Sequence, residues 1–488
     1  MEARKKAGFL LGPLLFITAY FSPLLSQNPK AHSLLAIFLL IVTWWVTECI
    51  PIPVTALLVP VLVTALNVAS VKDAFAPFAN PIIMLFLGSF ILARAMCLHA
   101  LDQRLAMSIL SLKTIKEKKT RVLFALGLTS LFLSMWISNT ATTAMMFPIA
   151  LGVLDALREQ RENRKSPFSV VLLLTLAYAA SIGGIGTPIG SPPNLIAIGM
   201  LEKLVNYRVT FFQWMIIGFF ILIPMYFFLF FYMKYRLRGT TQKDAPVDLS
   251  LLEKKKPKGP LTRGQKNVLA SFSVTVSLWI FPGVVSLIWG RSAPLFLWFQ
   301  EHFPESAAAI IGAGLLFILP VKASQGKFTI SLPEAMKIDW GTLMLFGGGL
   351  SLGFQMFETG LAEAIGNFFI SLGGSSASLA VITLLAVAFS VFITELTSNT
   401  ASANMIIPII IAITQAAAVN PLPPVMGCAI GCSFAFMLPV ATPPNAIIYG
   451  SGMIPLPQMM KHGFWLNLAG IFLIWANINF LIPLLGLL

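Results

Sequence analysis

The chain has 488 residues, of which 57% are hydrophobic and only 11% charged, and its mean hydropathy is +0.84. So little polar surface cannot cover a water-soluble fold of this size, and the composition is that of a polytopic membrane protein. The net charge of +14 is what cytoplasmic loops rich in Lys and Arg give such a protein, and no nucleic-acid partner is expected. The four cysteines, Cys49, Cys97, Cys428 and Cys432, lie in or beside apolar segments. They are expected to be buried thiols and not a disulfide or a metal site.

The basic N-terminal residues run into an apolar stretch without a small-residue cleavage site, so they are read as leading into a first transmembrane helix and not as a signal peptide. Residues 7–25, 33–50 and 52–69 are predicted as three spans, the last two separated by the turn Glu48-Cys49-Ile50-Pro51-Ile52-Pro53. A fourth span at 80–98 leads into an amphipathic stretch, 99–112, expected to lie along the interface. Basic clusters then flank the apolar segment 122–157: Lys113, Lys116, Lys118, Lys119 and Arg121 before it, Arg158, Arg161, Arg164 and Lys165 after it. Both are expected on the cytoplasmic side. A segment that begins and ends on one side must enter and return, and arms of about 16 residues reach only about 24 Å, short of the roughly 30 Å of hydrocarbon. This predicts a re-entrant hairpin with Ser138-Asn139-Thr140 at its tip. The alternative, two short spans joined by a polar external turn, would not need such apolar flanks.

Residues 167–205 then cross outward, interrupted at Gly183-Gly184-Ile185-Gly186-Thr187-Pro188-Ile189-Gly190-Ser191-Pro192-Pro193-Asn194. A run of Gly and Pro cannot be regular helix, and irregular backbone at this depth is tolerated only where it lines a cavity enclosed by protein. Residues 209–233 return to the cytoplasm, and the basic stretch 234–266 is read as a linker between halves. The second half repeats the plan the other way up. Spans at 267–290, 307–321 and 339–357 precede a hairpin, 376–418, with Ser398-Asn399-Thr400 at its tip and no Lys or Arg on its flanks, which should open from the outside. A span at 424–453, interrupted at Ala441-Thr442-Pro443-Pro444-Asn445, and a last span at 464–487 complete the chain. Of the 33 Lys and Arg, this arrangement leaves only Lys30, Lys72, Lys203, Arg208 and Arg291 outside and Arg94 within a span. The expected fold is therefore an all-α polytopic membrane protein: about eleven transmembrane helices, two opposed re-entrant hairpins and two broken helices in an inverted repeat. Its N-terminus is cytoplasmic and its C-terminus external.

The doubling extends to detail. Each triplet has a hydroxyl five residues before its Asn (Ser134, Thr394), a Pro nine residues after it (Pro148, Pro408), and a Pro-Pro-Asn break further along. Paired breaks of this kind mark a binding site between two internal repeats of a membrane transporter. A helix that starts in mid-membrane offers unpaired N–H groups to an anion, and one that ends there offers carbonyls to a cation. Half-helices beginning at Ala141, Ala401 and after each Pro-Pro-Asn could hold a dianion between them, with hydroxyls and the Asn139 and Asn399 amides adding neutral hydrogen bonds. Hydroxyl, amide and carbonyl oxygens suit sodium, whereas a proton relay needs a buried carboxylate or His. Glu48, Glu395, His99 and His462 are poor candidates for that work, and Arg94 either snorkels, pairs with a carboxylate across the fold, or contacts substrate.

The two Ser-Asn-Thr triplets, Trp44-Trp45-Val46-Thr47-Glu48-Cys49-Ile50-Pro51-Ile52-Pro53, Gly190-Ser191-Pro192-Pro193-Asn194 and Val440-Ala441-Thr442-Pro443-Pro444-Asn445 together resemble the divalent anion/sodium symporter family of dicarboxylate transporters. The resemblance spans essentially the whole chain. It implies one sodium site at Ser134, Ser138, Asn139 and Gly190, and a second at Thr394, Ser398, Asn399 and Ala441. It also implies a dicarboxylate held between Ser138, Asn139 and Thr140 of one triplet and Ser398, Asn399 and Thr400 of the other, with Ser191 and Thr442 nearby. It implies further a homodimer in the cytoplasmic membrane. In the arrangement that the resemblance implies, scaffold segments, 1–112 and 209–375, hold transport segments, 113–208 and 376–488, that slide as an elevator.

Some members of that family are sodium-coupled symporters and others sodium-independent exchangers of dicarboxylates or citrate. Oxygen-bearing residues fill both implied sodium sites, which favours symport. Thr at the third position of both triplets is closer to C4-dicarboxylate members, so succinate, malate and fumarate are expected ahead of sulfate and tartrate. No cofactor is expected besides sodium as coupling ion. An intramembrane enzyme would need a nucleophile and base within reach, and no Ser/His or paired-Asp arrangement occurs inside the spans. A passive anion channel is the other rival; hairpins opening from opposite faces suit alternating access better.

Overall fold

The computed structural model describes residues 2–112, 118–156, 166–237, 259–373 and 378–484. Lys113, Lys116, Arg158, Arg161, Arg164, Lys165 and most of the expected linker lie outside the described residues. Apart from a two-stranded ribbon, β1 (Pro320–Lys322) and β2 (Lys327–Phe328), the regular structure described is helical. In the first half the helices are α1 (Glu2–Phe21), α2 (Pro29–Thr47), α3 (Ile52–Ala65), α4 (Val71–Phe75), α5 (Pro81–Leu98), α6 (Leu101–Leu110), α7 (Lys119–Ser134), α8 (Asn139–Ala156), α9 (Pro167–Gly183), α10 (Pro192–Val205) and α11 (Phe211–Arg236). In the second they are α12 (Arg263–Trp289), α13 (Pro294–His302), α14 (Glu305–Ile318), α15 (Leu332–Ala335), α16 (Trp340–Glu358), α17 (Leu361–Gly373), α18 (Leu379–Thr394), α19 (Asn399–Ala416), α20 (Leu422–Gly431), α21 (Pro443–Tyr449) and α22 (Leu456–Leu484).

Among the described residues, six helical segments are long and apolar enough to cross a membrane by length and composition alone. One of them, α19, is 72% buried inside the protein, against 33–50% for the other five. A helix so enclosed is an interior element and has little surface left for lipid. The expected hairpins are both present as helix pairs, and their arms match: 16 and 18 residues in α7 and α8, 16 and 18 again in α18 and α19. Both expected broken spans are interrupted where Gly or Pro removes helical continuity, between α9 and α10 and between α20 and α21. In each case Pro-Pro opens the second piece, where missing N–H groups cost nothing because the first turn has no intrahelical acceptors for them.

The linker expectation needs correction at both ends. Helix α11 runs on to Arg236, and α12 begins at Arg263, started by a capping box in which the Thr262 side chain accepts from the Gln265 N–H and the Gln265 side chain accepts from the Thr262 N–H. The charges of this stretch hide that start. Helices α13, α15 and α17, the pair α4 and its following 3-10 turn, and the β-ribbon were not expected either. Of these, α17 is the amphipathic counterpart of α6, set off from α16 by Gly360 at φ +78°.

The repeats interlock. Helix α5 packs on α14 and, reciprocally, α16 packs on α3; α8 packs on α21 and α19 on α10. Close approach requires glycine at the same place in both long contacts: a β-carbon on Gly88 would collide with the backbone of Ala309, and one on Gly348 with that of Ala56. Arg94 pairs with Glu334 across the fold at 2.5 Å, and Lys337 holds the same carboxylate at 2.6 Å. The hydrogen bond from Lys337, then that from Arg94, keeps the Glu334 carboxyl below its usual range. Tyr178 on α9, fully buried, donates its hydroxyl to the Phe436 carbonyl at 2.7 Å in the other repeat, with the Met459 carbonyl at 3.3 Å. Tyr178→Phe should lower the melting temperature of the detergent-solubilised protein by an amount equivalent to about 1–2 kcal/mol, because the buried Phe436 carbonyl loses its donor; an unchanged melting temperature would mean the bond joins nothing of consequence.

Candidate substrate and cation site

Each hairpin turns through four residues between its arms, and each turn is held by the same bond. In the first, the buried Ser134 hydroxyl donates to Asn139 Oδ1 at 2.6 Å; in the second, the buried Thr394 hydroxyl lies 2.7 Å from Asn399 Oδ1. The hydroxyl five residues before each Asn is thus a turn-closing group that also brings two oxygens side by side. Thr394 Oγ1 is also 2.8 Å from the Cys432 carbonyl, which ends the first piece of the second broken helix. Hairpin tip and unwound loop therefore meet at one cluster of neutral oxygens.

The first repeat builds the same meeting point from backbone. A β-carbon added to Gly190 would come 2.6 Å from the Gly184 carbonyl oxygen and 3.0 Å from that of Ser134, and one added to Gly184 would come 2.5 Å from Asn139 Oδ1. The unwound loop is thus seated closely against the hairpin tip, with the Ser134 carbonyl and the Asn139 amide oxygen beside its glycines. Thr187 ties the loop to the tip by donating to the Met135 carbonyl at 2.5 Å, and Trp214 of α11 donates to the Ile185 carbonyl at 3.0 Å. Hydroxyl, amide and carbonyl oxygens without a formal charge are the donor set for a small, hard monovalent cation.

The second loop is held by charge. The Glu395 carboxylate accepts the backbone N–H groups of Phe436 (2.7 Å), Met437 (2.8 Å) and Leu438 (3.0 Å), and Asn467 of α22 donates to it at 2.7 Å. Four donors on one buried carboxylate are the arrangement that keeps such a charge from being an uncompensated cost. Glu395 thus carries the loop's backbone, a role the sequence does not give it. His99 and His462 are each bonded to a residue 230 positions away, the former with the Thr329 carbonyl at 2.8 Å and the latter with Tyr232 Oη at 3.0 Å.

Of the residues expected at the substrate, Ser138 and Thr140 are exposed, Asn139, Ser398, Asn399 and Thr400 half-buried, and Ser191 and Thr442 buried. Ser138 Oγ accepts the Ala141 N–H at 3.2 Å, and Thr442 caps α21 through the Asn445 N–H at 3.3 Å. Ser191 Oγ lies 2.8 Å from Ser433 Oγ, joining the two unwound loops across the repeats. Ala441 is buried on the second loop and donates its N–H to the Leu438 carbonyl at 3.2 Å. Helices α8 and α19 begin at the hairpin turns, so first-turn N–H groups there are available to an anion; α10 and α21 open with Pro-Pro, and the next N–H is already bonded, that of Asn194 to the Ser191 carbonyl at 3.1 Å and that of Asn445 to Thr442 Oγ1 at 3.3 Å. The sequence reading passes over Thr187, Ser433 and the amides of Asn194 and Asn445; the repeated Pro-Pro-Asn is the signal that could have flagged the last two.

A helical chain with paired hairpins, paired broken helices and oxygen-lined meeting points is a membrane transporter, and the comparisons with known proteins agree. Residues 11–488 match the model of the sodium:sulfate symporter transmembrane region, and the chain belongs to that family. It is 36% identical over 485 residues to the sodium-dependent dicarboxylate transporter SdcS of Staphylococcus saprophyticus, covering 98% of this chain and 91% of the relative. The protein of the same name from Staphylococcus aureus strain USA300 is also 36% identical, over 493 residues, 99% of this chain and 92% of the relative. Among solved structures, the fold is similar to that of the Alcanivorax borkumensis YdaH transporter, described as having an unusual topology. The TM-score is 0.58 at 14% sequence identity, over 93% of this chain and 98% of the other.

Gly190→Ala should reduce uptake by roughly tenfold or more, since the colliding atoms are backbone and cannot step aside. Gly314→Ala, in open space on α14, should leave it unchanged. Equal activity of the two variants would dismiss the close seating of loop on hairpin tip as a requirement.

Proposed function

We propose that this protein is a sodium-coupled symporter of C4-dicarboxylates, with succinate, malate and fumarate as substrates, working in the cell membrane. The observation that carries the reading is the repeated seat at which a hairpin-tip Asn, its hydroxyl partner and an unwound loop meet, through Ser134 and Asn139 in one repeat and Thr394 and Asn399 in the other. The names of the relatives support sodium and a dicarboxylate as the pair transported.

On this reading one sodium ion is held by Ser134, Ser138, Asn139 and Gly190, and a second by Thr394, Ser398, Asn399 and Ala441. The substrate carboxylates take hydrogen bonds from Ser138, Asn139 and Thr140 on one side and Ser398, Asn399 and Thr400 on the other, with Ser191 and Thr442 behind them. Binding is coupled because Asn139 and Asn399 belong to both sets: a cation that fixes the amide oxygen leaves the amide nitrogen turned to the anion. The two hairpins open to opposite sides, with the N-terminus cytoplasmic and the C-terminus external. Segments 113–208 and 376–488 travel against 1–112 and 209–375 in a homodimer.

Succinate uptake into proteoliposomes without internal substrate, under an inward gradient of sodium or of potassium at fixed pH, tests the coupling. Uptake with sodium alone is expected. Uptake that needs a preloaded dicarboxylate and ignores sodium would make the protein an exchanger and remove both cation assignments.

A further inference from the structure

The two unwound loops have different sequences and the same closure. In the first, Asn194 Nδ2 donates to the carbonyls of Gly184 and Thr187, both at 2.9 Å; in the second, Asn445 Nδ2 donates to those of Ala435 and Leu438, both at 3.0 Å. The acceptors are ten and seven residues before the Asn in each case. The nearer one also receives the N–H of the residue four before the Asn, from Gly190 to Thr187 at 3.3 Å and from Ala441 to Leu438 at 3.2 Å. Both Asn side chains are fully buried, and neither Oδ1 has a hydrogen-bond partner among the described residues. Facing two carbonyls, each amide can present only its NH2, so its orientation is fixed.

Aligned on Pro-Pro-Asn, the loops 184–194 and 435–445 share only Pro188 with Pro439 and the Pro-Pro-Asn itself. Proline brings no side-chain donor, so the Asn is the one shared side chain able to hold backbone in place. No other side chain of this length offers two hydrogens on a single nitrogen: ionised Asp offers none, and Gln sets its amide one carbon further out.

We propose that Asn194 and Asn445 are positioning residues for cation binding. Each closes its unwound loop into a ring and so fixes Gly190 or Ala441, the loop member of the cation set, against the hairpin tip. The inference rests on the sodium reading given above and extends it to residues that touch neither ion nor substrate. The effect should fall mainly on sodium, because each ring carries a loop residue of its cation set, whereas of the substrate residues the rings carry only Ser191 and Thr442, which stand behind the triplets.

The test uses full-length protein in proteoliposomes, with Asn194→Asp and Asn445→Asp made singly and succinate uptake followed against sodium at neutral and mildly acidic pH. The wild type is measured at both pH values to normalise for the substrate's own titration. The expected result is a rise of roughly tenfold or more in the sodium concentration giving half-maximal uptake. Half-saturation by succinate at saturating sodium should stay near the wild-type value, and acid should partly restore sodium affinity as the carboxyl regains one donor hydrogen. Asn194→Gln and Asn445→Gln, which keep both hydrogens, should fall between wild type and Asp. Unchanged sodium half-saturation, a loss confined to maximal rate, or equal shifts for sodium and succinate would each overturn the proposal. So would failure of both the Asp and Gln variants to yield folded protein by size exclusion, since the amides would then be requirements of the fold. A wild type indifferent to sodium would defeat the functional reading itself; a sodium-coupled wild type with unaltered variants would defeat this inference alone.

Discussion

Everything distinctive in this chain follows from backbone that leaves the helical hydrogen-bonding pattern inside an apolar interior. An unpaired N–H or C=O there costs several kcal/mol in hydrocarbon, so every break must be answered by some other group. At residues 184–191 and 432–442 the answers come from Asn194, Asn445, Thr187, Trp214 and Glu395, and the Cys432 carbonyl meets the Thr394 hydroxyl of the second hairpin. A site made this way needs no bound metal ligand of the usual kind and few formal charges. Its selectivity resides in where neutral oxygens and N–H groups point, which the surrounding packing dictates.

The repeats solve one problem by two routes. The position after the turn-closing hydroxyl is Met135 in the first hairpin and Glu395 in the second. At Met135 the hairpin offers the loop a backbone carbonyl, which Thr187 takes; at Glu395 it offers a carboxylate, which three successive N–H groups take. The helix after each break completes the support, with Trp214 from α11 in one repeat and Asn467 from α22 in the other. The second loop is therefore held by a side-chain carboxyl and the first by a backbone carbonyl.

The sequence makes the large features legible because they are written in the strongest signals. Apolar runs give the long helices, and the twice-repeated triplet and Pro-Pro-Asn give the breaks. Short amphipathic pieces were harder: α17 went unread although its pattern is like that of α6, and the capping box at Thr262 was concealed among linker charges. Arg94 left three readings open that only the Glu334 carboxylate, 240 residues away, resolves. Glu395 was weighed as a proton carrier because a lone acid in an apolar run invites it; its true neighbours are N–H groups some forty residues on, which no local pattern announces. Asn194 and Asn445 were visible as letters of a motif, but their bonds run backward across a loop whose shape the sequence does not disclose.

The central claim is that the oxygens of Ser134, Asn139 and Gly190, and those of Thr394, Asn399 and Ala441, seat two cations on either side of a dicarboxylate held by the triplets. A structure of the protein with sodium and succinate, at a resolution that distinguishes ions from solvent, addresses it most directly. The account predicts a coordinated cation at each of the two seats and succinate carboxylates between residues 138–140 and 398–400. Succinate bound away from the triplets, or bound between them with both seats empty of cation, would contradict it.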